Sequence, residues 1–254
     1  MYYTKKITII IPTFNSERTI KEAIQSVINQ TFNDWELLVI DDCSNDLTIQ
    51  IVESYQEKYS NIHLIKKRKN TGVSDSRNIG IEKSKTPFIA FLDSDDIWCS
   101  EKLSKQMLIM ESGCDICYTG VKYIKSDGIP LPGIFEVPID TNYNNLLRFN
   151  VISTSSVLLR RSIIDGSKMV SLDFHEDFHF WLTLLKKNCV CQGINEPLLV
   201  YRFSKKTKSS NKLKSFSMTY RVYREINLNP FTSVFFTISH LVNATLKYKK
   251  IFTL

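Results

Sequence analysis

The sequence predicts an α/β protein built on a mostly parallel central sheet that helices cover on both faces. Over residues 1–98, apolar runs of strand length alternate four times with stretches of helical spacing, an alternation that is typical of parallel sheets. Acidic residues stand directly after two of these predicted strands, as Asp41-Asp42 and as Asp93-Ser94-Asp95-Asp96. Ligands of such sheets bind beyond the carboxyl ends of the strands. We therefore expect the two acidic clusters to face one crevice.

The elements of this first part follow from hydrophobic spacing. Strands are predicted where short apolar runs lack helical spacing, at residues 6–11, 35–40, 62–65 and 88–92. A helix is predicted at residues 18–30, where apolar residues recur three and four apart. A second is predicted from a capping residue at 44 or 45 to 59, and a short third one from the turn at 70–72 to 83.

The pattern loosens after Trp98. Residues 129–138 are rich in proline and are predicted to be irregular. Further strands are predicted at residues 116–125, 155–160 and 198–202. Further helices are predicted at 101–111, at 142–149, in an amphipathic stretch ending at 185, around 218–226 and after 230. A Lys- and Ser-rich loop is expected at 204–214.

The positive charge of the chain is concentrated at one end. The net charge is +7, and residues 201–254 hold eleven Lys and Arg against a single acid, Glu225. A basic segment of this kind suggests a polyanionic partner, which is nucleic acid, anionic lipid or a phosphorylated substrate. Because the basic charge is confined to this tail, a nucleic-acid partner is disfavoured.

The last predicted helix carries an apolar stripe and ends in lysines. The stripe consists of Phe231, Val234, Phe235, Ile238, Leu241, Val242 and Leu246. The helix is too polar to span a bilayer confidently, and two interpretations remain. The stripe can lie in an anionic membrane surface with the lysines toward lipid headgroups, which we favour, or it can pack on the domain.

The six cysteines and the N-terminal sequence indicate the cellular compartment. Cys114-x-x-Cys117 and Cys189-x-Cys191 can be drawn as a zinc site, but both pairs lie in apolar, strand-like sequence, which favours buried free thiols. The first apolar run is too short for a signal peptide and ends at Pro12. We expect a cytoplasmic protein with reduced thiols.

Three carboxylates within four positions characterise the stretch that follows the strand at 88–92. Burying them without partners would cost several kcal/mol or more. Two interpretations remain open, an acidic turn that caps the next helix and a site for a divalent metal that carries a phosphorylated ligand. No Gly-x-Gly-x-x-Gly or P-loop motif is present. A dinucleotide oxidoreductase and a P-loop NTPase are therefore disfavoured.

Four ordered segments resemble the family 2 glycosyltransferases, which have the GT-A fold and use nucleotide-activated sugars. These segments are Ile9–Asn15, Val39–Asp46, Asn70–Gly80 and the Asp-x-Asp motif Asp93–Asp96. Glu176-Asp177 before an aromatic helix and Tyr201-Arg202 extend the likeness. The chain departs from the family pattern at Cys43, where a glycine is usual.

The resemblance implies a donor site in the first part of the chain. The nucleotide base would lie against Pro12, Phe14 and Asp42, with Arg77 beside it. A carboxylate that accepts a hydrogen bond from an imide N–H suits uracil or thymine. Asp93 would contact the ribose.

The resemblance also implies the metal and the base. Asp95 would coordinate Mn²⁺ or Mg²⁺ bridging the donor diphosphate, and Asp96 would assist through water. Asp177 would be the general base, because an inverting transfer needs one carboxylate to accept the acceptor's proton. Arg202 and Lys205 would close over the diphosphate.

Asp41 and Glu176 are expected in supporting positions. Structural alternatives to these roles stay open for Glu176 with Asp177 and for Arg202. Glu176 and Asp177 can form an acidic first helical turn that the helix dipole favours, and Arg202 can be a surface charge at a strand end.

The resemblance implies one GT-A domain, residues 1–203, with a nucleotide-binding half (1–98), an acceptor half (99–203) and a basic tail (204–254) that contacts membrane or acceptor. The expected function is inverting, metal-dependent transfer of a hexose from a UDP-sugar to a polyprenyl-diphosphate-linked sugar in bacterial O-antigen or other surface-polysaccharide assembly. Galactose is the first expectation, with glucose and N-acetylglucosamine as alternatives. The expected location is the inner face of the cell membrane.

Two other functions are weighed against this one. A nucleotidyltransferase would need a glycine- and lysine- or arginine-rich loop after the first strand, and residues 13–18 lack it. A non-catalytic subunit of a polysaccharide assembly complex would have lost the base or a metal acid, and none is lost.

Overall fold

The structure is a computed structural model that describes residues 6–170, 175–203 and 212–252. Within these ranges ten strands form one sheet, in the order β3-β2-β1-β4-β9-β6-β10-β5, with β7 paired to β6 and β8 to β10. The strands are β1 (Ile7–Thr13), β2 (Trp35–Asp41), β3 (Ile62–Lys66), β4 (Phe88–Phe91), β5 (Ile97–Trp98), β6 (Ile116–Lys125), β7 (Pro130–Phe135), β8 (Asp140–Thr141), β9 (Leu158–Arg160) and β10 (Cys191–Phe203). The helices are α1 (Ile20–Ile28), α2 (Thr48–Gln56), α3 (Val73–Lys83), α4 (Lys102–Glu111), α5 (Tyr143–Arg148), α6 (Glu176–Leu185), α7 (Lys212–Glu225) and α8 (Pro230–Phe252).

The first half of the sheet is parallel, as predicted. β1 pairs in parallel with β2 on one side and with β4 on the other, and β2 pairs in parallel with β3. Every residue of β1 is buried, because helices cover both faces and a continuous apolar run suits such a strand. The parallel arrangement brings the ends of β1, β2 and β4 to one edge of the sheet.

The second half mixes strand directions. β9 runs antiparallel to β4 and β6, whereas β6 and β10 form a long parallel ladder. The structure corrects three predictions here. Residues 129–138, predicted to be irregular, contain β7, whose Pro130 is tolerated because β7 is an edge strand. The strand predicted at 155–160 is shorter, because residues 154–156 form a 3₁₀ turn.

The third corrected prediction concerns the bounds of the last strand. It was predicted at 198–202, but β10 begins at Cys191. Register shifts fall on both sides of Pro197, so the first half of this strand lacks the regular apolar alternation that identifies a strand in a sequence. Of the loop predicted at 204–214, residues 204–211 lie outside the described residues, and 212–214 already belong to α7.

The C-terminal helices are packed against the second half of the sheet. α7 buries Met218, Val222 and Tyr223 in the core cluster that also contains α6, and Ile226, just after α7, belongs to the same cluster. The Tyr223 hydroxyl donates to the carbonyl of Leu147 in α5 at 2.6 Å, and Ile251 of α8 is 1% exposed in the second core cluster. These contacts fix α8 on the body of the protein.

Near its start, helix α8 turns polar side chains inward, and most of its predicted apolar stripe lies outward. Ser233 and Thr237 are fully buried, whereas Phe231 is 89% exposed and Phe235 63% exposed. Most of the predicted stripe therefore does not pack on the domain. Among the described residues, no helix is long and apolar enough to cross a membrane.

The cysteines are free thiols, as predicted. Cys114, Cys117 and Cys191 are buried, and Cys189 is partly buried. Burial raises the pKa of the Cys117 thiol to about 12, so this thiol stays protonated at neutral pH. The four cysteines that could be drawn as a zinc site thus behave as small apolar core residues.

Candidate active site

A cleft of about 530 Å³ opens at the carboxyl ends of β1, β2 and β4. Its walls come from four separate segments, which are residues 12–19 after β1, Asp42 and Asp46 after β2, Val73 and Ser76 at the start of α3, and 93–95 after β4. Each of the two acidic clusters contributes to this one cleft, through Asp42 and through Asp93 and Asp95, whereas Asp41 and Asp96 do not line it. The hydroxyls of Ser16 and Ser94 lie 2.8 Å apart and join the β1 wall to the acidic turn.

Pro12 and Phe14 form the β1 side of the cleft. Pro12 is the last but one residue of β1, and Phe14, just after the strand, is 48% exposed at the cleft wall. A large aromatic ring gains little from exposure to water. An exposed ring beside a polar cleft is suited to stack on a flat ligand group, because stacking on an aromatic side chain contributes about 1–3 kcal/mol per nucleic-acid base.

Asp42 holds together two of the segments that line the cleft. Its Oδ1 accepts from the amide of Thr71 at 2.9 Å, and its Oδ2 accepts from the amide of Gly72 at 2.8 Å. The ammonium of Lys67 lies 2.7 Å from Oδ1. Each carboxylate oxygen has two lone pairs, so Oδ2 keeps one for a ligand in the cleft.

Lys67 is a part of the site that the sequence reasoning missed. It follows β3 at the same edge of the sheet and also contacts Asp75 at 2.8 Å. The position of Lys67 after a parallel strand was the signal that could have identified it.

Asp41, the residue before Asp42, is buried, and its Oδ2 accepts from the amide of Ser44 at 3.0 Å. Asp41 therefore supports the turn after β2 and does not line the cleft.

Arg77 lies beneath the cleft. It is 5% exposed, and its Nη2 contacts Oδ1 of Asp93 at 2.5 Å. This ion pair ties α3 to the acidic turn. The structure therefore places Asp93 on the cleft wall and Arg77 behind it, so a direct contact of Arg77 with a nucleotide base stays a prediction.

The acidic turn carries more negative charge than its neighbours neutralise. Burial and the adjacent charge of Asp93 raise the pKa of Asp95 to about 6. Asp96 is 1% exposed, and burial together with the Asp95 and Asp93 charges raises its pKa well above the usual range. Its Oδ2 has no hydrogen-bond partner among the described residues. A cation held at this turn would relieve these repulsions.

Arg202 supports the acidic turn from the opposite side. Its amide donates to Oδ1 of Asp96 at 3.1 Å, its Nε donates to the carbonyl of Asp95 at 3.0 Å, and its Nη2 contacts Glu22 at 2.5 Å. The side chain is 9% exposed, so it is not a free surface charge at the strand end. Lys205, predicted to act with it, lies outside the described residues.

Asp177 is joined to the acidic turn through two hydroxyl residues. Its Oδ2 accepts from the hydroxyl of Thr154 at 3.1 Å. The hydroxyl of the next residue, Ser155, accepts from the amide of Asp93 at 3.0 Å. Thr154 and Ser155, in the 3₁₀ turn before β9, had no distinguishing signal in the sequence. Asp177 and its neighbour Glu176 form the acidic first turn of α6, beside the cleft and not on its lining.

Comparison with known proteins identifies the family. A model of the family described as "Glycosyl transferase family 2" matches residues 8–164 of this chain. The chain is a family 2 glycosyltransferase. The GT-A fold and the glycosyltransferase class implied by the resemblance are thereby confirmed, and the nucleotidyltransferase alternative has no support.

Two relatives match over most of their length. The putative teichuronic acid biosynthesis glycosyltransferase TuaG of Bacillus subtilis is 34% identical over 87% of this chain and 88% of its own. The UDP-Glc:alpha-D-GlcNAc-diphosphoundecaprenol beta-1,3-glucosyltransferase WfgD of Escherichia coli is 33% identical over 93% of this chain and 92% of its own.

Two solved structures share the fold. TarS 1-349 of S. aureus in complex with UDP-GlcNAc has a TM-score of 0.73 at 23% identity and covers 93% of this chain and 71% of its own. The mannosyltransferase PcManGT of Pyrobaculum calidifontis in complex with GDP-Man and Mn²⁺ has a TM-score of 0.70 at 14% identity and covers 93% of this chain and 70% of its own.

The acidic turn of this family 2 glycosyltransferase fits a metal that is brought by a diphosphate. Among the described residues, no three His, Cys, Asp or Glu side chains are grouped to hold a metal by themselves. Mg²⁺ is usually bound through one or two carboxylates, with phosphates and water completing its shell, and Mn²⁺ prefers the same oxygen ligands. Asp95 lines the cleft and can supply one such carboxylate.

Cys43, where the family usually has glycine, adopts a left-handed backbone with a φ of 66°. Such a backbone costs an L-residue about 1–2 kcal/mol, whereas glycine adopts it readily. We expect Cys43→Gly to leave the free energy of unfolding within about 1 kcal/mol of wild type, because strain relief offsets the added unfolded-state entropy. Chemical denaturation measures this. A loss above about 2 kcal/mol would show that the contact of the thiol with the Lys67 carbonyl, at 3.2 Å, outweighs the strain.

Proposed function

We propose that this chain is an inverting, metal-dependent transferase. It moves a hexose from a UDP-hexose to a sugar on a polyprenyl diphosphate during assembly of a bacterial surface polysaccharide. The observation that carries the proposal is the convergence of acids from distant segments. Asp42, Asp93 and Asp95 line one cleft, and Thr154 and Ser155 connect Asp177 to its wall. The relatives support the acceptor class, since one is named for a GlcNAc-diphosphoundecaprenol acceptor.

The donor would bind with its uracil between Phe14 and Asp42. The ring of Phe14 offers a stacking face, and the remaining lone pair on Asp42 Oδ2 accepts the imide N–H. The cleft, at about 530 Å³, lies in the range of small-molecule sites. Galactose was the first expectation from the sequence. The relative WfgD, which is named for UDP-Glc, favours glucose over galactose as the hexose.

The transfer would proceed in one displacement. The acceptor hydroxyl attacks the anomeric carbon from the face opposite the diphosphate, and Asp177 accepts the hydroxyl proton. The bond from the anomeric carbon to the phosphate oxygen breaks, and UDP leaves with the electron pair. A divalent cation, when bound, supplies charge stabilisation to the leaving diphosphate. Asp95 would hold that cation, Asp93 would contact the ribose, and Arg202 would keep the turn in place.

The test is a panel of UDP-sugars assayed with Mn²⁺ or Mg²⁺ and no acceptor. We expect slow release of UDP from UDP-Glc or UDP-Gal and less from UDP-GlcNAc. The measurement needs no knowledge of the acceptor and identifies the donor. A chain that binds UDP-sugars but neither hydrolyses them nor transfers their sugar to a sugar-diphosphate lipid would instead support the non-catalytic alternative.

Peripheral membrane binding through α8 is the second part of the proposal. The outward face of this helix is apolar along its length, with Phe231 89% exposed and Ile238 53% exposed. Lys249 and Lys250 follow at its end and are exposed. An apolar stripe flanked by lysines suits the surface of an anionic bilayer. Binding of this kind would bring the enzyme to the surface that carries a lipid-linked acceptor.

We expect Phe231→Glu with Ile238→Glu to weaken binding to vesicles containing phosphatidylglycerol at least about tenfold, because burying each large apolar side chain contributes about 1.5–3 kcal/mol. Vesicle co-sedimentation measures the loss. The matched control is Leu108→Glu, since Leu108 is 69% exposed on α4 and outside the stripe. Equal losses in both variants would contradict a role for α8.

A further inference from the structure

A second cavity, of about 520 Å³, lies between β7 and α8. Its walls are mainly apolar, formed by Ile134, Phe135 and Phe149 together with Leu246 of α8. Leu246 is 54% exposed and belongs to the outward stripe of α8. The apolar surface of the stripe is therefore continuous with the wall of this cavity.

The α8 side of this cavity is lined with positive charge. Lys247, Lys249 and Lys250 all line it, against one carboxylate, that of Glu136. The ammonium of Lys247 lies 3.8 Å from the centre of the Phe135 ring. The lining thus combines an excess of two positive charges with apolar walls. Such a lining is suited to bind a group in which two negatively charged phosphates are attached to a hydrocarbon chain.

The cavity also adjoins the proposed catalytic base. The ring of His240, on the inward face of α8, packs 5.6 Å from that of Phe149 in the cavity wall and 5.0 Å from that of Phe178. Phe178 is the residue that follows Asp177. One row of rings therefore runs from the cavity to the first turn of α6.

The ammonium of Lys247 is only weakly neutralised by its surroundings. The residue as a whole is half-buried, but its charged end is enclosed. Burial lowers the pKa of Lys247 to about 8, against the opposing effect of the Asp177 charge. An anion bound in the cavity would stabilise the charged form.

We propose that this cavity binds the diphosphate of the lipid-linked acceptor, with the prenyl chain leaving along the apolar stripe of α8. Lys247, Lys249 and Lys250 contact the phosphates, and the first sugar extends toward Asp177. The proposal rests on the proposed function. It adds a specific acceptor site, separate from the donor cleft, in which one helix both meets the lipid surface and holds the charged headgroup.

The first test measures binding without catalysis. Calorimetry with geranyl diphosphate is carried out on the full chain saturated with UDP and Mn²⁺, so that the donor cleft is occupied. We expect the wild-type chain to bind the probe and Lys249→Gln with Lys250→Gln to bind at least about tenfold more weakly, since the hydrogen bonds of an ammonium to a phosphate are stronger than those of a neutral amide. Binding that disappears when UDP is present would place the probe in the donor cleft and overturn the proposal.

The second test compares two acceptors in non-ionic detergent, which excludes anionic phospholipid as the source of the effect. One carries α-linked N-acetylglucosamine on a prenyl diphosphate, and the other carries the same sugar directly on the same chain. We expect Lys249→Gln with Lys250→Gln to lower the kcat/KM ratio of the first to the second acceptor about tenfold. Lys247→Gln should lower this ratio as well, and Lys247→Arg should restore it.

The matched control is Lys58→Gln with Lys85→Gln, two exposed lysines remote from the cavity. An unchanged acceptor ratio in the α8 variants, with a wild-type chain that transfers sugar, would overturn the acceptor site and leave the proposed function standing. Failure of the wild-type chain to hydrolyse or transfer any UDP-sugar would instead overturn the function itself.

Discussion

Asp177→Asn is expected to lower sugar transfer about a thousandfold while leaving UDP binding unchanged. General-base catalysis contributes about 10²–10⁴-fold, and an amide cannot accept the acceptor's proton. The substitution preserves shape, and its carbonyl oxygen can still accept from Thr154 or from the amide of Phe178, which now donate to Asp177 at 3.1 Å and 2.8 Å. Transfer rates and UDP calorimetry separate the two effects.

Glu176→Gln is the matched comparison, because Glu176 precedes Asp177 in the same acidic turn of α6. If the two acids served only the helix dipole, both variants would lose equally little stability and activity, since such an interaction contributes about 0.3–1 kcal/mol. Wild-type turnover in Asp177→Asn would remove Asp177 from the mechanism.

Asp95→Ala is expected to weaken Mn²⁺-dependent UDP binding by more than about a hundredfold. Loss of a residue that merely orients a metal ligand lowers metal affinity about 10–100-fold, and loss of a ligand should exceed that. Calorimetry of UDP with and without Mn²⁺ measures the difference. Glu57→Ala is a suitable control, because Glu57 is an exposed acid just beyond α2.

Asp95→Ala, which weakens UDP binding, is expected not to lower the thermal stability of the protein without metal. Burial and the charge of Asp93 raise the pKa of Asp95 to about 6, so ionised Asp95 destabilises the folded state relative to the unfolded state at neutral pH. Removing this carboxylate relieves that repulsion, and we expect a Tm without metal at or above that of wild type. A lower Tm together with unchanged Mn²⁺-dependent UDP binding would show that Asp95 is a structural residue of the turn.

The donor side of the molecule was largely predictable from the sequence. Buried parallel strands are continuous apolar runs, and acids directly after them must reach the same edge of the sheet. Asp42, Asp93 and Asp95 therefore came together as expected. Local spacing could not show that Asp42 also holds the backbone of Thr71 and Gly72, because those hydrogen bonds link segments far apart in the chain.

The second half was harder to predict. β7 begins with a proline, and β10 is interrupted at Pro197, so neither shows the regular alternation that identifies a strand. Arg202 was expected to reach a ligand, but the structure shows it between Asp95, Asp96 and Glu22. Its role in donor binding stays a prediction, and its support of the acidic turn is an observation.

The sequence by itself determined the fold class, the family and the acids of the donor cleft, because each depends on periodicity or on motifs within short segments. Only the tertiary structure decided which way α8 faces. Its apolar stripe was evident from spacing, yet Ser233, Thr237 and His240 point inward and the stripe points outward. Helical periodicity defines two faces, but the shape and polarity of the surface beneath a helix determine which face is buried.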